Sequence, residues 1–181
     1  ALGSYPQQHL PALSLQATLI GHAGAADERA RDARRFDGPI PQILADAVAW
    51  VARSSPTAIR TQPGGAVVDA PRWPPEAVRE LIGNALIHRD LAPWALGETA
   101  MVRLDDERLV VRNPGGLYGL TIDRLGLVGV TSARNANLVR ICQYVRLPDG
   151  TRAVEALASG IPTVLDALTA AALPRPLFDD D

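Results

Sequence analysis

The spacing of apolar and polar positions predicts alternating strands and helices along most of the chain. Residues 9–21 alternate with a period of two, which predicts a strand, and residues 39–55 repeat with helical spacing behind a proline, which predicts a helix. Two short strands are predicted within residues 57–71, around a Pro-Gly-Gly turn. A second helix is predicted to begin at the paired prolines Pro74 and Pro75 and to stop before Pro93.

The second half of the chain continues this alternation. Residues 98–113 predict a β-hairpin, and residues 136–147 predict a helix. Residues 154–173 predict a final helix, or a pair of helices broken at Gly160 and Pro162.

The stretch between the first strand and the first helix is polar and charged. Its sequence, residues 22–38, predicts a loop or a frayed helix. Taken in order, the predicted elements indicate the α/β fold class, or α+β with two layers, with helices on one face of a sheet.

Composition narrows the class of protein. The 181 residues carry a net charge of −2, which gives no global electrostatic reason to bind nucleic acid or an anionic membrane. All 18 basic side chains are arginine, so a lysine-dependent phosphate loop is excluded on this chain. No apolar run approaches a membrane span, and the one cysteine, Cys142, cannot form an internal disulfide. These features predict a cytoplasmic protein with no membrane partner.

One stripe of polar side chains interrupts the otherwise apolar helix "ELIGNALIHRD". Glu80, Asn84 and His88 advance by four residues and so lie along one edge of the helix. A carboxylate at such an edge can act as a general base on water, and an amide oxygen one turn later can ligate Mg²⁺. The alternative is a solvated stripe in which His88 ends the helix, and spacing alone favours that alternative.

Three further segments carry candidate binding chemistry. In "VVRNPGGLYG", Gly115 and Gly116 would let a ligand approach the backbone closely, next to the amide of Asn113. In "TSARNANL", Ser132 and Arg134 precede a predicted helix start, where backbone N–H groups favour phosphate. The alternatives are an ordinary loop after a hairpin and plain N-capping by Asn135, and capping is the interpretation we prefer for that residue.

Together these motifs, with "VEALASGI" around Gly160, resemble the histidine-kinase-like ATPase domain of the RecG-helicase-related transcriptional regulators, within the GHKL superfamily. The resemblance rests on four ordered motifs over about residues 73–172. It implies a Bergerat-type fold, in which helices cover one face of a mixed sheet and ATP lies between helices and a lid.

The resemblance implies roles for individual residues. Glu80 matches a catalytic base and Asn84 a ligand of nucleotide-bound Mg²⁺, so ATP and Mg²⁺ are the implied cofactors. The other positions that match the nucleotide-binding motifs are His88, Arg89, Asn113, Gly115, Gly116, Ser132, Arg134 and Gly160.

Three positions depart from the superfamily pattern. Asn113 is neutral where a carboxylate reads adenine, Leu117 stands where a third glycine is common, and the second glycine box retains only Gly160. The expected function is that of a nucleotide-binding regulatory module. Slow Mg²⁺-dependent ATP hydrolysis is a further activity that the resemblance allows. The alternative is a degenerate domain that serves dimerisation or protein contacts, and a homodimer is an expected partner state in either case.

The resemblance also divides the chain. It implies that residues 1–22 are a remnant of an upstream Schlafen/AlbA-type domain, that 23–56 are a linker and helix, and that 57–181 are the ATPase-like domain, truncated at its end. The chain would then be an excised fragment of a longer regulator that contacts DNA only through the upstream domain.

Overall fold

A computed structural model describes residues 2–21, 30–61, 64–127, 129–130, 132–146, 150 and 160–180. The strands are β1 (Leu15–Ile20), β2 (Ala30–Phe36), β3 (Thr57–Thr61), β4 (Val67–Pro71), β5 (Ala100–Leu104) and β6 (Leu109–Arg112). The helices are α1 (Ile40–Ser54), α2 (Pro75–Ile87), α3 (Ala136–Cys142) and α4 (Gly160–Ala170).

The main sheet has four strands in the order β2-β1-β5-β6. β1 runs antiparallel to β2 and parallel to β5, and β5 and β6 form an antiparallel hairpin, so the sheet is mixed. β3 and β4 pair with each other in a separate antiparallel hairpin. Among the described residues, four helices accompany these sheets. The mixed α/β class is therefore confirmed.

Alternation along the strands places the core on one face of the main sheet. In β5, Ala100, Val102 and Leu104 are buried, whereas Met101 and Arg103 between them are exposed. Helices α1 and α2 pack against each other and contact the strands, and their apolar faces share one core cluster with β1 and β5. The buried positions of α2 include Val78, Ile82 and Leu86, which recur at four-residue steps along the helix.

Most element predictions are confirmed, with shifts at their ends, but the prediction for residues 22–38 is wrong where the structure describes it. Residues 30–36 form β2 rather than a loop or frayed helix. The prediction failed because the strand is an edge strand rich in charge, which suppresses the apolar alternation expected of a half-buried strand. Asp32 accepts a hydrogen bond from Trp50 Nε1 at 3.0 Å, which ties this charged strand to α1.

The last helix runs from Gly160 to Ala170 and continues through Pro162, so there is no break at the proline. The break predicted at Gly160 stays a prediction, because the preceding residues lie outside the described ranges. The predicted beginning at residues 154–159 lies outside the described residues.

Residues 15–20 supply an inner strand of the main sheet, although the sequence assigns 1–22 to an upstream domain. The division of the chain at residues 22 and 56 stays a prediction. Within the described ranges, no helix has the length and apolar character needed to cross a bilayer.

Candidate functional site

The stripe on α2 meets the first residue of α4. A β-carbon placed on Gly160 would lie 3.2 Å from Asn84 Nδ2 and 3.3 Å from Glu80 Oε2. We call these three residues the helix cluster. Their contact joins the first and last motifs of the sequence, and a side chain at position 160 would press on the ends of Asn84 and Glu80.

The helix cluster combines groups that suit a phosphate-bound cation. The Glu80 carboxylate lies beside Gly160, the first described residue of α4, and the N–H groups of a helix start at this point would favour an anion. Glu80 and Asn84 are both half-buried. Within the part of the chain that the structure describes, the Asn84 amide makes no hydrogen bond.

A second group of residues, which contact one another, lies beyond the end of α2. We call Asp90, Gly115, Gly116 and Arg134 the loop cluster. Arg134 Nη1 lies 2.9 Å from Asp90 Oδ2, and Arg134 Nη2 donates to the carbonyl oxygens of Gly115 and, at 3.2 Å, Gly116. The guanidinium also stands over the Tyr118 ring, 5.2 Å from its centroid. Arg134 thus holds the glycine loop rather than projecting towards solvent.

Asp90 is the other centre of this cluster. Its Oδ1 accepts from the Ala92 N–H at 2.8 Å, and its Oδ2 accepts from Trp94 Nε1 at 3.1 Å. The Ala92 hydrogen bond, followed by those of Trp94 and the charge of Arg134, lowers the pKa of Asp90 against an opposing effect of burial. Asp90 is therefore a stable anion at neutral pH.

Gly115 is required by this geometry. Its φ is +99°, and a β-carbon there would lie 2.4 Å from Asp90 Cβ and 2.9 Å from Arg134 Nη1. Both the backbone conformation and the packing exclude a larger residue.

The structure gives Arg89 internal hydrogen-bond partners, and the nucleotide-binding role that the resemblance implies for it stays a prediction. Arg89 is 1% exposed, and its guanidinium donates to the carbonyl oxygens of Ala12 and Glu98. Burial lowers the pKa of Arg89, although the charges of Asp90 and Glu98 oppose that effect. Arg89 therefore joins the segment before β1 to the end of α2, and its Nε makes a long hydrogen bond of 3.5 Å to the carbonyl oxygen of Asp90 in the loop cluster.

Asn135 also departs from its prediction. It precedes α3 as the N-cap residue, but its side chain makes no capping hydrogen bond. Instead Nδ2 donates to the carbonyl oxygens of Ile87 and Arg89, at 2.8 and 2.9 Å. These are carbonyls at the end of α2 that a helix leaves without partners, so Asn135 caps α2 rather than its own helix.

The remaining predicted site residues lie around the loop cluster. His88 ends α2 between the two clusters, and its pKa is lowered by burial and then by the charge of Arg134. Ser132 is close to Gly119, where a β-carbon would lie 2.8 Å from Ser132 Oγ. Asn113 is half-buried, and its amide makes a long hydrogen bond of 3.5 Å to the Pro114 carbonyl oxygen.

Sequence reasoning missed two acids that matter here. The sequence patterns gave no role to Asp90 or to Asp180. In the structure the Leu117 N–H donates to Asp180 Oδ1 at 2.5 Å. Nothing in the local sequence signals this contact, because the two residues are 63 positions apart.

Comparison with known proteins finds a family match in the second half of the chain. Residues 97–181 match the family described as "Putative ATP-dependent DNA helicase recG C-terminal". That family implies a GHKL-like fold. The match includes the glycine loop, Arg134 and Gly160, whereas Glu80 and Asn84 lie before it.

A solved structure supports the same fold over more of the chain. The chain is similar to the DIP2311 protein from Corynebacterium diphtheriae, with 22% sequence identity, a TM-score of 0.64 and 90% of this chain covered. The chain spans 31% of the length of that protein. No curated protein matches the chain.

Proposed function

We propose that this domain binds a purine nucleotide triphosphate with Mg²⁺ and serves as the nucleotide-responsive module of a transcriptional regulator. The observation that carries the proposal is the contact of Gly160 with Glu80 and Asn84, at 3.2–3.3 Å from a β-carbon position. An acid, an amide and the first described residue of a helix are thereby assembled from segments 76 to 80 residues apart, in a chain whose residues 97–181 match an ATPase-like family.

The donor set fits Mg²⁺ held together with phosphate. Mg²⁺ prefers oxygen ligands and is commonly bound by one or two protein groups plus the phosphates of a nucleotide. Asn84 Oδ1 would hold the ion, and the first N–H groups of α4 would face phosphate oxygens. Among the described residues, no group of three or more His, Cys, Asp or Glu side chains could hold a metal ion.

The base would bind on the glycine-loop side. Asn113 precedes the loop and offers an amide that can accept from an exocyclic amine and donate to a ring nitrogen. In hydrolysis, Glu80 would orient the attacking water while Mg²⁺ offsets charge on the transferring phosphoryl group. Glu80→Gln should then abolish turnover and leave nucleotide affinity largely unchanged, because an oriented water matters in the transition state.

Calorimetric titration tests the proposal. We expect saturable ATP binding that depends on Mg²⁺, and a loss of that dependence in Asn84→Ala, because the variant lacks the oxygen ligand. Asn137→Ala is the matched control, since Asn137 is an exposed amide on α3. Absence of saturable ATP binding to the unaltered chain with Mg²⁺ would refute the proposal.

A second candidate function is a degenerate domain that binds no nucleotide and provides protein contacts or dimerisation. The observation in its favour is that Arg134, a cation suited to phosphate, is already paired with Asp90 and with two loop carbonyls. In this case the same titration gives no heat of binding, and sedimentation shows a concentration-dependent dimer. Contact with DNA through an upstream domain remains part of the proposal in both cases.

A further inference from the structure

The acidic C-terminal segment contacts the glycine loop through a carboxylate. Asp180 Oδ1 accepts a hydrogen bond from the Leu117 N–H at 2.5 Å. The segment leaves α4 through Ala172, whose φ of 54° turns the backbone, and it continues without regular secondary structure to Asp180. The contact therefore returns the end of the described chain to the candidate base-binding side of the site.

Gly116 makes room for this carboxylate. A β-carbon at position 116 would lie 2.5 Å from Asp180 Oδ1, and the φ of Gly116 is +56°. The two adjacent glycines thus admit different side chains: Gly115 accommodates Asp90 and Arg134, whereas Gly116 accommodates Asp180. A backbone N–H that donates to a carboxylate can donate equally to an anionic or carbonyl oxygen of a ligand.

The sequence of the segment lowers the entropy cost of placing Asp180 at the glycine loop. Pro174 and Pro176 restrict its backbone, so ordering it costs less conformational entropy than ordering a segment without proline. Leu173 packs against the buried Ala77, Val164 and Leu168, which fixes the beginning of the segment on α2 and α4. Because the segment is anchored at Leu173, the Asp180 carboxylate has a high effective concentration at the glycine loop.

We propose that this segment is an autoinhibitory strap, in which Asp180 occupies the Leu117 N–H and must leave before a nucleotide can engage the glycine loop. The inference rests on the proposed function for the identity of the competing ligand. It adds a regulation of that site: any partner that captures the acidic segment would raise nucleotide affinity.

Asp180→Ala, with Asp179→Ala as matched control, tests the strap in the full 181-residue chain. Two readouts are needed: hydrogen exchange of the Leu117 amide without ligand, and calorimetric titration with Mg²⁺ and ATP. We expect Asp180→Ala to accelerate Leu117 exchange on the order of tenfold and to tighten ATP binding by about three- to tenfold, since a hydrogen bond to a charged acceptor is lost from the competing state. Asp179→Ala should change neither quantity.

The outcomes separate the strap from the proposed function. Equal Leu117 exchange in all three proteins would overturn the strap itself. Faster exchange in Asp180→Ala with measurable but unchanged ATP affinity would overturn the competition. Faster exchange with no ATP binding in any of the three proteins would refute the proposed function, and autoinhibition with it, while establishing the carboxylate–amide contact.

Discussion

The two clusters at α2 differ in how their polar groups are used. In the loop cluster, Asp90 and the Nη atoms of Arg134 bond to each other and to nearby backbone and side-chain groups, whereas Arg134 Nε has no hydrogen-bond partner within the described residues. In the helix cluster, the Asn84 amide has no hydrogen bond within the described residues, although it lies against Gly160. The difference teaches that the residues of the sequence motifs fall into two groups. The loop cluster shapes the site, and the helix cluster is suited to a ligand.

We therefore expect substitutions in the loop cluster to lower the stability of the fold, and substitutions in the helix cluster to lower ligand affinity. A satisfied polar network contributes to stability, and its members are expensive to remove. A polar group without an internal partner contributes little to the folded state, yet it can contribute strongly once a ligand provides the partner. The following substitutions separate the two effects.

The largest expected effect on stability is that of Gly115→Ala. The new β-carbon would be in a left-handed backbone conformation and would overlap Asp90 and Arg134, so we expect a loss of roughly 3 kcal/mol in the free energy of unfolding. Gly64→Ala is the matched control, because φ there is +104° but no atom lies within 4 Å of the new carbon. The control should lose about 1–2 kcal/mol. Equal losses in denaturant titrations would show that the loop cluster is not tightly packed.

A double-mutant cycle of Asp90→Asn and Arg134→Gln should give the next largest effect. The two side chains are 13% and 15% exposed, so their coupling should be about 1–2 kcal/mol in the free energy of unfolding. Arg34→Gln provides a control, because Arg34 is 63% exposed in its pair with Asp32 and should cost less than about 0.5 kcal/mol. A coupling energy near zero would remove the ion pair from the forces that hold the loop.

A smaller effect is expected from pH, through His88 between the clusters. Burial lowers the pKa of His88 in the folded chain, so the unfolded chain binds a proton first as pH falls. Stability from this group is complete above the unfolded pKa of about 6.5 and decreases as pH falls from there towards the folded pKa. His88→Gln should reduce that slope in unfolding curves between pH 7 and 5, whereas exchange of the exposed His9 for Gln should preserve it. An unchanged slope in His88→Gln would contradict the prediction.

Periodicity in the sequence predicted the parts of the site that lie on one helix. Steps of four residues are a property of helix geometry, so the stripe at Glu80 and Asn84 could be inferred without a structure. The contact of that stripe with Gly160 could be inferred only through resemblance, because no local rule relates residues 76 positions apart. Arg134 was assigned to a ligand since an exposed arginine before a helix suits phosphate, and its pairing with Asp90 depends on tertiary packing.

The same limit explains the errors in the fold. β2 was missed because a strand is recognised by apolar residues at every second position. Most positions of this edge strand carry charged side chains instead. Asn135 was correctly placed before α3, but capping rules concern a residue's own helix, whereas its amide reaches the carbonyls that end α2. Local patterns therefore predicted where elements begin, and they failed where side chains join elements distant in sequence.

The division between a shaping cluster and a binding cluster is tested most directly by the shift in the unfolding midpoint that Mg²⁺ and ATP produce in Gly160→Ala. The new methyl group would contact Asn84 Nδ2 and Glu80 Oε2 at 3.2–3.3 Å, at the ends of side chains that can move. We predict that stability without ligand stays within about 1 kcal/mol of the unaltered chain. Saturating Mg²⁺ and ATP should stabilise the unaltered chain, as any ligand of the folded state does, and should stabilise Gly160→Ala much less. An equal ligand-induced shift in both proteins would contradict the account.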